Sequence, residues 1–232
     1  GSEMCIRDRP FSDPVSDGPA IQRAHVRALR GGATVAQALD QVRAIREHYP
    51  DLPIGMLVYA NVAHTRGLDR FYTEFKEAGA DSVLLPDVPV RESAPFSAAA
   101  ERAEIEPIYI APAKASNETL EGVAANSRGY IYAISRDGVT GTENEATVEG
   151  LREVVDNVNA FGGAPVLLGF GISRPEHVRA AIQAGAAGAI TGSAITKIID
   201  AHVVDTRIAD VDALKRELTD YVAAMKQATI NP

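Results

Sequence analysis

Short apolar runs alternate with longer amphipathic segments along most of this chain. The runs predict six strands, at residues 52–60, 81–85, 107–111, 130–135, 165–170 and 187–191. Each run is nearly continuous, which is typical of parallel strands covered by helices on both faces. A segment with helical periodicity follows every run. Five of them lie at 68–78, 94–103, 149–160, 175–184 and 195–200, one begins after a possible cap at Ser116, and a further helix closes the chain at 211–226. The pattern therefore predicts an α/β fold of about six parallel βα units.

The region before the first apolar run is predicted to contain two helices and no strand. Segments 20–30 and 34–48 have helical periodicity, and Thr34 with Gln37 forms a capping-box pattern. The loop at 10–19 contains three prolines and two aspartates. The first nine residues, GSEMCIRDR, lack the apolar run of a buried strand. We therefore expect residues 1–9 to be foreign to the fold, as a cloning scar or an assembly artefact. Residues 10–232 should form a single barrel domain.

Composition and charge exclude several classes of function. Hydrophobic residues make up 46% of the 232 residues, and the net charge is −8. That balance argues against nucleic-acid binding, which needs a basic face. One cysteine, Cys5, and no apolar run of membrane length predict a cytoplasmic protein without disulfides or membrane attachment. The five histidines lack metal-ligand spacing, so we expect surface or packing roles for them and no metal.

Two glycine motifs follow consecutive strands near the C-terminus. Gly171 lies just after the run at 165–170, and Gly192 and Ser193 follow the run at 187–191. Loops after the last two strands of an α/β barrel commonly bind phosphate, helped by the N-terminus of a short helix. Either motif alone could simply end a strand. Together they favour a phosphate site. The number of βα units also allows a doubly wound sheet, but a phosphate site after the last two strands favours a barrel.

A third glycine-rich segment, at 136–144, follows the predicted strand at 130–135. Long loops at the carboxyl ends of barrel strands often act as lids. We expect this segment to close over a ligand, and a passive loop is the alternative.

With these features assembled, the chain resembles the tryptophan synthase alpha subunit family from about Pro10 to the C-terminus. Five motifs carry the resemblance in the family's order and spacing: PFSDPxxDGPxIQ at 10–22, DxPxxES at 87–93, SRxGVTGxEN at 135–144, GFGIS at 169–173 and AGAITGSAI at 187–195. The resemblance implies a (βα)8-type TIM barrel. It also implies a lyase that cleaves indole-3-glycerol phosphate to indole and glyceraldehyde 3-phosphate by retro-aldol general acid–base chemistry, without metal or organic cofactor.

The resemblance also assigns roles to individual residues. It implies that Asp17 hydrogen-bonds the indole N–H in the catalytic group, with Tyr132 beside it. Substrate-binding positions are Ile21, Leu57, Tyr59 and Thr140, and phosphate-binding positions are Gly141, Phe170, Gly171, Gly192 and Ser193. Asp13, Pro14 and Asn61 match the surface that contacts the beta subunit in an alpha2beta2-type assembly. From the residues alone, Asp17 could also be a helix N-cap before Gly18 and Pro19.

The N-terminal region departs from the family. Counted back from Phe11, the position of the family's principal acid–base glutamate holds Ile6, which cannot transfer a proton. The family's first strand, first helix and second strand have no counterpart in the sequence. We therefore expect impaired catalysis and an open six-strand arc. Its unpaired edges, at the runs 52–60 and 187–191, would favour a homo-oligomer.

Two other functions remain open from the sequence. A non-catalytic partner of the beta subunit would keep the phosphate site and the contact loop but release no indole. Another phosphate-binding barrel, such as an epimerase or isomerase, would use different acids and would lack the motif at 10–22.

Overall fold

The computed structural model describes residues 4–7, 11–134, 150–169, 171–204 and 207–230. Its strands are β1 (Met4–Arg7), β2 (Ile54–Leu57), β3 (Ser82–Leu84), β4 (Glu106–Ile108), β5 (Ile110–Ala111), β6 (Ile131–Ile134), β7 (Val166–Gly169), β8 (Gly188–Ala189), β9 (Val203–Val204) and β10 (Arg207–Ile208). Its α-helices are α1 (Pro19–Arg30), α2 (Val35–His48), α3 (Ala60–Arg66), α4 (Leu68–Ala78), α5 (Ala94–Arg102), α6 (Asn117–Asn126), α7 (Leu151–Ala160), α8 (Pro175–Gln183), α9 (Ser193–Ala201) and α10 (Val211–Ile230). A 3-10 turn covers Val90–Glu92.

Strands β1 to β8 pair in parallel and in chain order. One ladder runs β1-β2-β3-β4 and a second runs β5-β6-β7-β8. Only Tyr109 separates β4 from β5, and its carbonyl accepts the Tyr132 N–H at 3.1 Å, which continues the pairing towards β6. Parallel strands joined by helices are the pattern of an α/β barrel, so the predicted fold class is confirmed. The remaining strands, β9 and β10, form a small antiparallel hairpin.

The apolar core lies in three clusters. One packs β2 and β3 against helices α2 to α5, with Phe71, Tyr72 and Phe75 of α4 almost fully buried. A second packs the strands from β5 to β7 against α6, α7, α8 and α10. The third fills the barrel interior with Leu57, Leu84, Ile108, Tyr130 and Tyr132. Burying each large side chain contributes roughly 1.5–3 kcal/mol. These clusters explain why the strand segments are apolar on both faces.

The N-terminal segment forms a strand, which the sequence did not predict. β1 pairs in parallel with β2, aligning Met4 with Ile54 and Arg7 with Leu57. The expectation that residues 1–9 supply no strand was therefore wrong, as was the expectation of an open six-strand arc with an unpaired edge at β2. The edge of β2 presents a row of backbone donors and acceptors. A strand that pairs with this edge satisfies them through its own backbone, so the pairing does not require a particular side-chain pattern. A homo-oligomer through the β8 edge stays a prediction.

The predicted element boundaries are largely confirmed, with one helix missed. The capping box of Thr34 and Gln37 opens α2, and α4 has the predicted bounds. The apolar run at 52–60 was predicted as one strand, but β2 ends at Leu57 and α3 begins at Ala60. Asp87, from a distant loop, accepts the Ala60 N–H at 2.9 Å, which satisfies a donor at that helix start. No helix in the described ranges could span a membrane.

Arg46 connects three segments on the outside of the barrel. Its guanidinium donates to the carbonyls of Pro50 at 2.6 Å, Leu52 at 2.7 Å and Gly79 at 2.8 Å. It also contacts Asp81 at 2.7 Å, and Asp81 accepts the Ile54 N–H that begins β2. Arg46 therefore holds the end of α2, the entry to β2 and the turn before β3 in one arrangement.

We predict that Arg46→Ala lowers the free energy of unfolding by about 2–3 kcal/mol, because several backbone carbonyls lose a charged donor. The matched control is Arg43→Ala on the same helix, whose exposed ion pair with Asp40 should contribute at most about 0.5 kcal/mol. Urea unfolding followed by circular dichroism measures both. Equal effects for the two variants would contradict the role of Arg46.

Candidate active site

The loop before α1 turns Asp17 into the protein. The Asp17 N–H donates to the Pro14 carbonyl at 3.0 Å, and Gln22 Nε2 donates to the Asp17 carbonyl at 2.7 Å. Pro19 occupies the first turn of α1, and the N-cap is Gly18, without a side-chain cap. The alternative reading of Asp17 as a helix cap was therefore wrong. Its side chain is instead 1% exposed.

Two donors meet the buried carboxylate of Asp17. Tyr59 donates its hydroxyl to Oδ2 at 2.9 Å, and His25 Nε2 lies 3.2 Å from the same oxygen. The Ser16 N–H donates to the Tyr59 oxygen at 3.1 Å. Burial, the negative charge of Asp17 and the hydrogen bond to it raise the pKa of Tyr59 to about 12. Tyr59 is therefore a neutral donor at physiological pH, and Asp17 is held as the acceptor.

His25 and Phe11 complete this group of contacts. The Phe11 N–H donates to His25 Nδ1 at 3.0 Å, and the Phe11 ring stacks on Tyr59 at a centroid distance of 5.2 Å. We call Phe11, Asp17, His25 and Tyr59 the Asp17 network. It ties the loop before α1 to the carboxyl end of β2, where Tyr59 lies.

Apolar side chains lie beside this network and inside the barrel. Ile21 is buried on the same helix as His25, and Leu57 and Tyr132 belong to the interior cluster. Gly169 makes room for the Tyr132 ring, since a Cβ there would lie 2.1 Å from Tyr132 Cζ. Ile21, Leu57, Tyr59 and Tyr132 are thus buried, and Leu57 and Tyr132 line the same interior.

The two glycine loops follow β7 and β8 at the same end of the barrel. Gly171 has a φ of +73°, a left-handed conformation that favours glycine. Gly192 precedes α9, whose first residue is Ser193. Thr191 joins the loops by donating to the Ile172 carbonyl at 2.9 Å. Because parallel strands place their carboxyl ends together, these loops open on the side that also carries Tyr59.

The remaining predicted site positions lie either outside the described residues or at the predicted partner-contact surface. Thr140, Gly141 and Phe170 lie outside the described residues, as does the loop at 136–144. Asp13 and Asn61, two of the predicted partner-contact residues, are exposed. Pro14, the third, is half-buried, and its carbonyl accepts the Asp17 N–H.

Two residues of the site were missed from the sequence. His25 was expected to have a surface or packing role, but it is buried against Asp17. A signal was present, since His25 follows Ile21 by four residues and so lies on the same face of α1. Tyr221 of α10 places its hydroxyl 2.8 Å from Thr191, beside the glycine loops. No local pattern could show this contact, because thirty residues separate the two.

Comparisons with known proteins agree with this geometry. The profile of the family described as Tryptophan synthase alpha chain matches residues 8–229. A Tryptophan synthase alpha chain of Corynebacterium glutamicum is 66% identical over 225 residues, covering 95% of this chain and 80% of that protein. One from Vibrio parahaemolyticus is 51% identical over 220 residues, with 95% and 80% covered.

Solved structures show the same relationship. The Pyrococcus furiosus tryptophan synthase a2b2 complex superimposes with a TM-score of 0.84 at 28% identity, covering 97% of this chain and 86% of that one. The tryptophan synthase subunit alpha of Legionella pneumophila gives 0.81 at 26% identity, with 99% and 82% covered.

The fold and the site define an α/β-barrel enzyme whose ligand end is the carboxyl end of its strands. The chain belongs to the tryptophan synthase alpha chain family. It is accordingly of the lyase class in tryptophan biosynthesis, with indole-3-glycerol phosphate as the substrate.

We predict that Tyr59→Phe lowers the free energy of unfolding by about 1–3 kcal/mol, because Asp17 loses a donor and the Ser16 N–H loses an acceptor while the ring stack with Phe11 remains. Urea unfolding measures the change. Tyr49→Phe, at a tyrosine that is 62% exposed, is the control and should have no measurable effect. A Tyr59→Phe variant as stable as the parent would contradict the importance of these bonds.

Proposed function

We propose that this site cleaves indole-3-glycerol phosphate by cofactor-free retro-aldol chemistry, with the Asp17 carboxylate accepting the indole N–H. The observation that carries the proposal is the burial of Asp17 at the barrel end where the glycine loops open. The contacts with Tyr59 and His25 hold the buried carboxylate in one orientation. A fixed negative charge at the indole nitrogen stabilises the positive charge that the ring gains when it is protonated.

The reaction needs two proton transfers and one bond cleavage. A proton is added to the indole carbon that bears the glycerol chain, and a proton is removed from the adjacent hydroxyl. The carbon–carbon bond then breaks, giving indole and glyceraldehyde 3-phosphate. We assign Tyr132 to the catalytic group beside the ring, and Ile21, Leu57, Tyr59 and Thr140 to substrate binding.

The phosphate is assigned to the glycine loops. Gly171, Gly192 and Ser193, with Gly141 and Phe170, are the proposed contacts. Glycine lets backbone N–H groups approach the anion, and the start of α9 adds its own N–H groups and the Ser193 hydroxyl. A Cβ at Gly192 would meet no atom within 4 Å, which supports a space there for a ligand.

The partner and the cell compartment are also proposals. By analogy with the a2b2 complex of Pyrococcus furiosus, we propose that a beta subunit binds the surface of Asp13, Pro14 and Asn61. A cytoplasmic location follows from the biosynthetic role. The family profile begins at residue 8, and residues 4–7 pair with β2, so we propose that residues 10–232 carry the family motifs and that β1 adds a strand to the same sheet.

We predict that Gly192→Asp abolishes binding of glycerol 3-phosphate, because it adds a negative charge where the anion is expected. Gly192→Ala is the matched control and should bind more tightly than the Asp variant, since its methyl group meets no protein atom within 4 Å and carries no charge. Isothermal titration calorimetry measures both. The phosphate assignment fails if the Asp variant binds as tightly as the Ala variant, or if the parent chain shows no binding at millimolar ligand.

We also predict that the chain as it stands releases indole about 100- to 10,000-fold more slowly than the Corynebacterium glutamicum relative, because Ile6 replaces an acid–base glutamate. The assay follows indole from indole-3-glycerol phosphate, with and without beta subunit. Glycerol 3-phosphate affinity is the control and should be similar in the two proteins. Equal rates would show that another carboxylate supplies the proton transfer, with Asp8 the first to mutate.

A further inference from the structure

His25 is a buried histidine in contact with Asp17. The residue is 7% exposed, and its ring lies between the Phe11 backbone and the Asp17 carboxylate, at the two ends of one loop. A buried histidine without polar partners would be costly, whereas this one has a partner at each nitrogen.

The contacts determine which nitrogen of His25 carries the proton. Nδ1 lies 3.0 Å from the Phe11 nitrogen, whose N–H can only donate, so Nδ1 must offer a lone pair. Neutral imidazole then carries its proton on Nε2, which lies 3.2 Å from Asp17 Oδ2. The Phe11 backbone therefore sets the tautomer that His25 presents to Asp17.

The same contacts fix the carboxylate in two directions. Tyr59 approaches Oδ2 from the end of β2, and His25 approaches it from α1. A carboxylate held by a single donor could rotate about its side-chain bonds, whereas donors on two separate elements restrict it to one orientation. Orientation matters because a ligand N–H needs a near-linear hydrogen bond.

From this arrangement we propose that His25 is a positioning residue for indole recognition: its Nε2–H orients the Asp17 carboxylate towards the indole N–H. His25 touches neither the reacting atoms nor the phosphate in this assignment. The inference rests on the proposed role of Asp17, so the experiment must separate a failure of that role from a failure of His25.

The test compares affinities for two ligands by isothermal titration calorimetry. The probe 3-(indol-3-yl)propyl phosphate offers the indole N–H and the phosphate, and glycerol 3-phosphate offers the phosphate alone. Asp17→Asn should weaken binding of the indole probe and leave glycerol 3-phosphate unchanged. If Asp17→Asn does not affect the indole probe, the proposed function of Asp17 fails, whatever His25 does.

Three variants then test His25 itself. The carboxamide of Gln reaches the position of Nε2 and can donate to Asp17, while the shorter Asn reaches only the position of Nδ1. We expect His25→Ala and His25→Asn to weaken indole-probe binding about tenfold, the loss expected for one charge-assisted hydrogen bond, and His25→Gln to retain most of it. Glycerol 3-phosphate affinity should stay constant in all three.

A merely structural role would give a different pattern. If His25 only supported the loop by accepting the Phe11 N–H, His25→Asn would retain binding, because its carboxamide oxygen reaches the position of Nδ1, and His25→Gln would lose it. That result would overturn the proposal. Unchanged affinity in His25→Ala, with Asp17→Asn impaired, would overturn it as well.

A measurement on the parent chain guards against variants that do not fold. Long-range proton–nitrogen NMR spectra of the histidine rings report which nitrogen is protonated, and the His25 signals are assigned by their loss in His25→Gln. We expect the Nε2–H tautomer. A neutral ring protonated at Nδ1 would break both observed contacts and would refute the inference.

Discussion

A buried carboxylate imposes the central constraint on this site. Removing Asp17 from water would strongly disfavour its charge unless donors replace the lost solvent. Tyr59 and His25 are those donors, and each comes from a different element. The loop before α1, the end of β2 and the first turns of α1 must therefore keep one relative arrangement. The stack of Phe11 on Tyr59 and the bond from the Phe11 N–H to His25 reinforce it.

The other half of the site depends on backbone geometry and not on charge. Gly171 adopts a left-handed conformation. Thr191, which precedes Gly192, donates to the Ile172 carbonyl and so connects the two glycine loops. Tyr221 of the last helix reaches the same threonine, so α10 supports a loop near the barrel mouth. A salt bridge of 2.6 Å from Arg27 on α1 to Asp200 on α9 links the Asp17 side to the helix that follows Gly192. The Asp17 network and the glycine loops therefore lie at the same end of the barrel and are also linked by the ion pair between α1 and α9.

The elements with strong local signals were the ones predicted well. α4 is amphipathic and ends at Ala78, and the φ of +100° at Gly79 suits glycine just after a helix, so its bounds could be predicted. α3 was missed because its residues continue an apolar run, and the donor at its start is satisfied by Asp87 from a distant loop. β1 was missed because it lacks a buried-strand pattern, and its pairing depends on the backbone donors and acceptors at the edge of β2. In both cases a partner far along the chain decided the local structure.

The sequence by itself determined the parallel α/β class, the glycine loops and the family, because periodicity and spaced motifs are local properties of the chain. Through the family resemblance it also named Asp17, Tyr59 and Tyr132. Only the tertiary structure decided that Asp17 is a buried acceptor instead of a helix cap, and that His25 and Tyr59 hold it from two sides. Tyr59 lies 42 residues from Asp17, and a contact across that separation depends on how β2 and α1 pack. Hydrogen bonds between distant residues form only once the fold has brought their elements together, so no local pattern could have shown them.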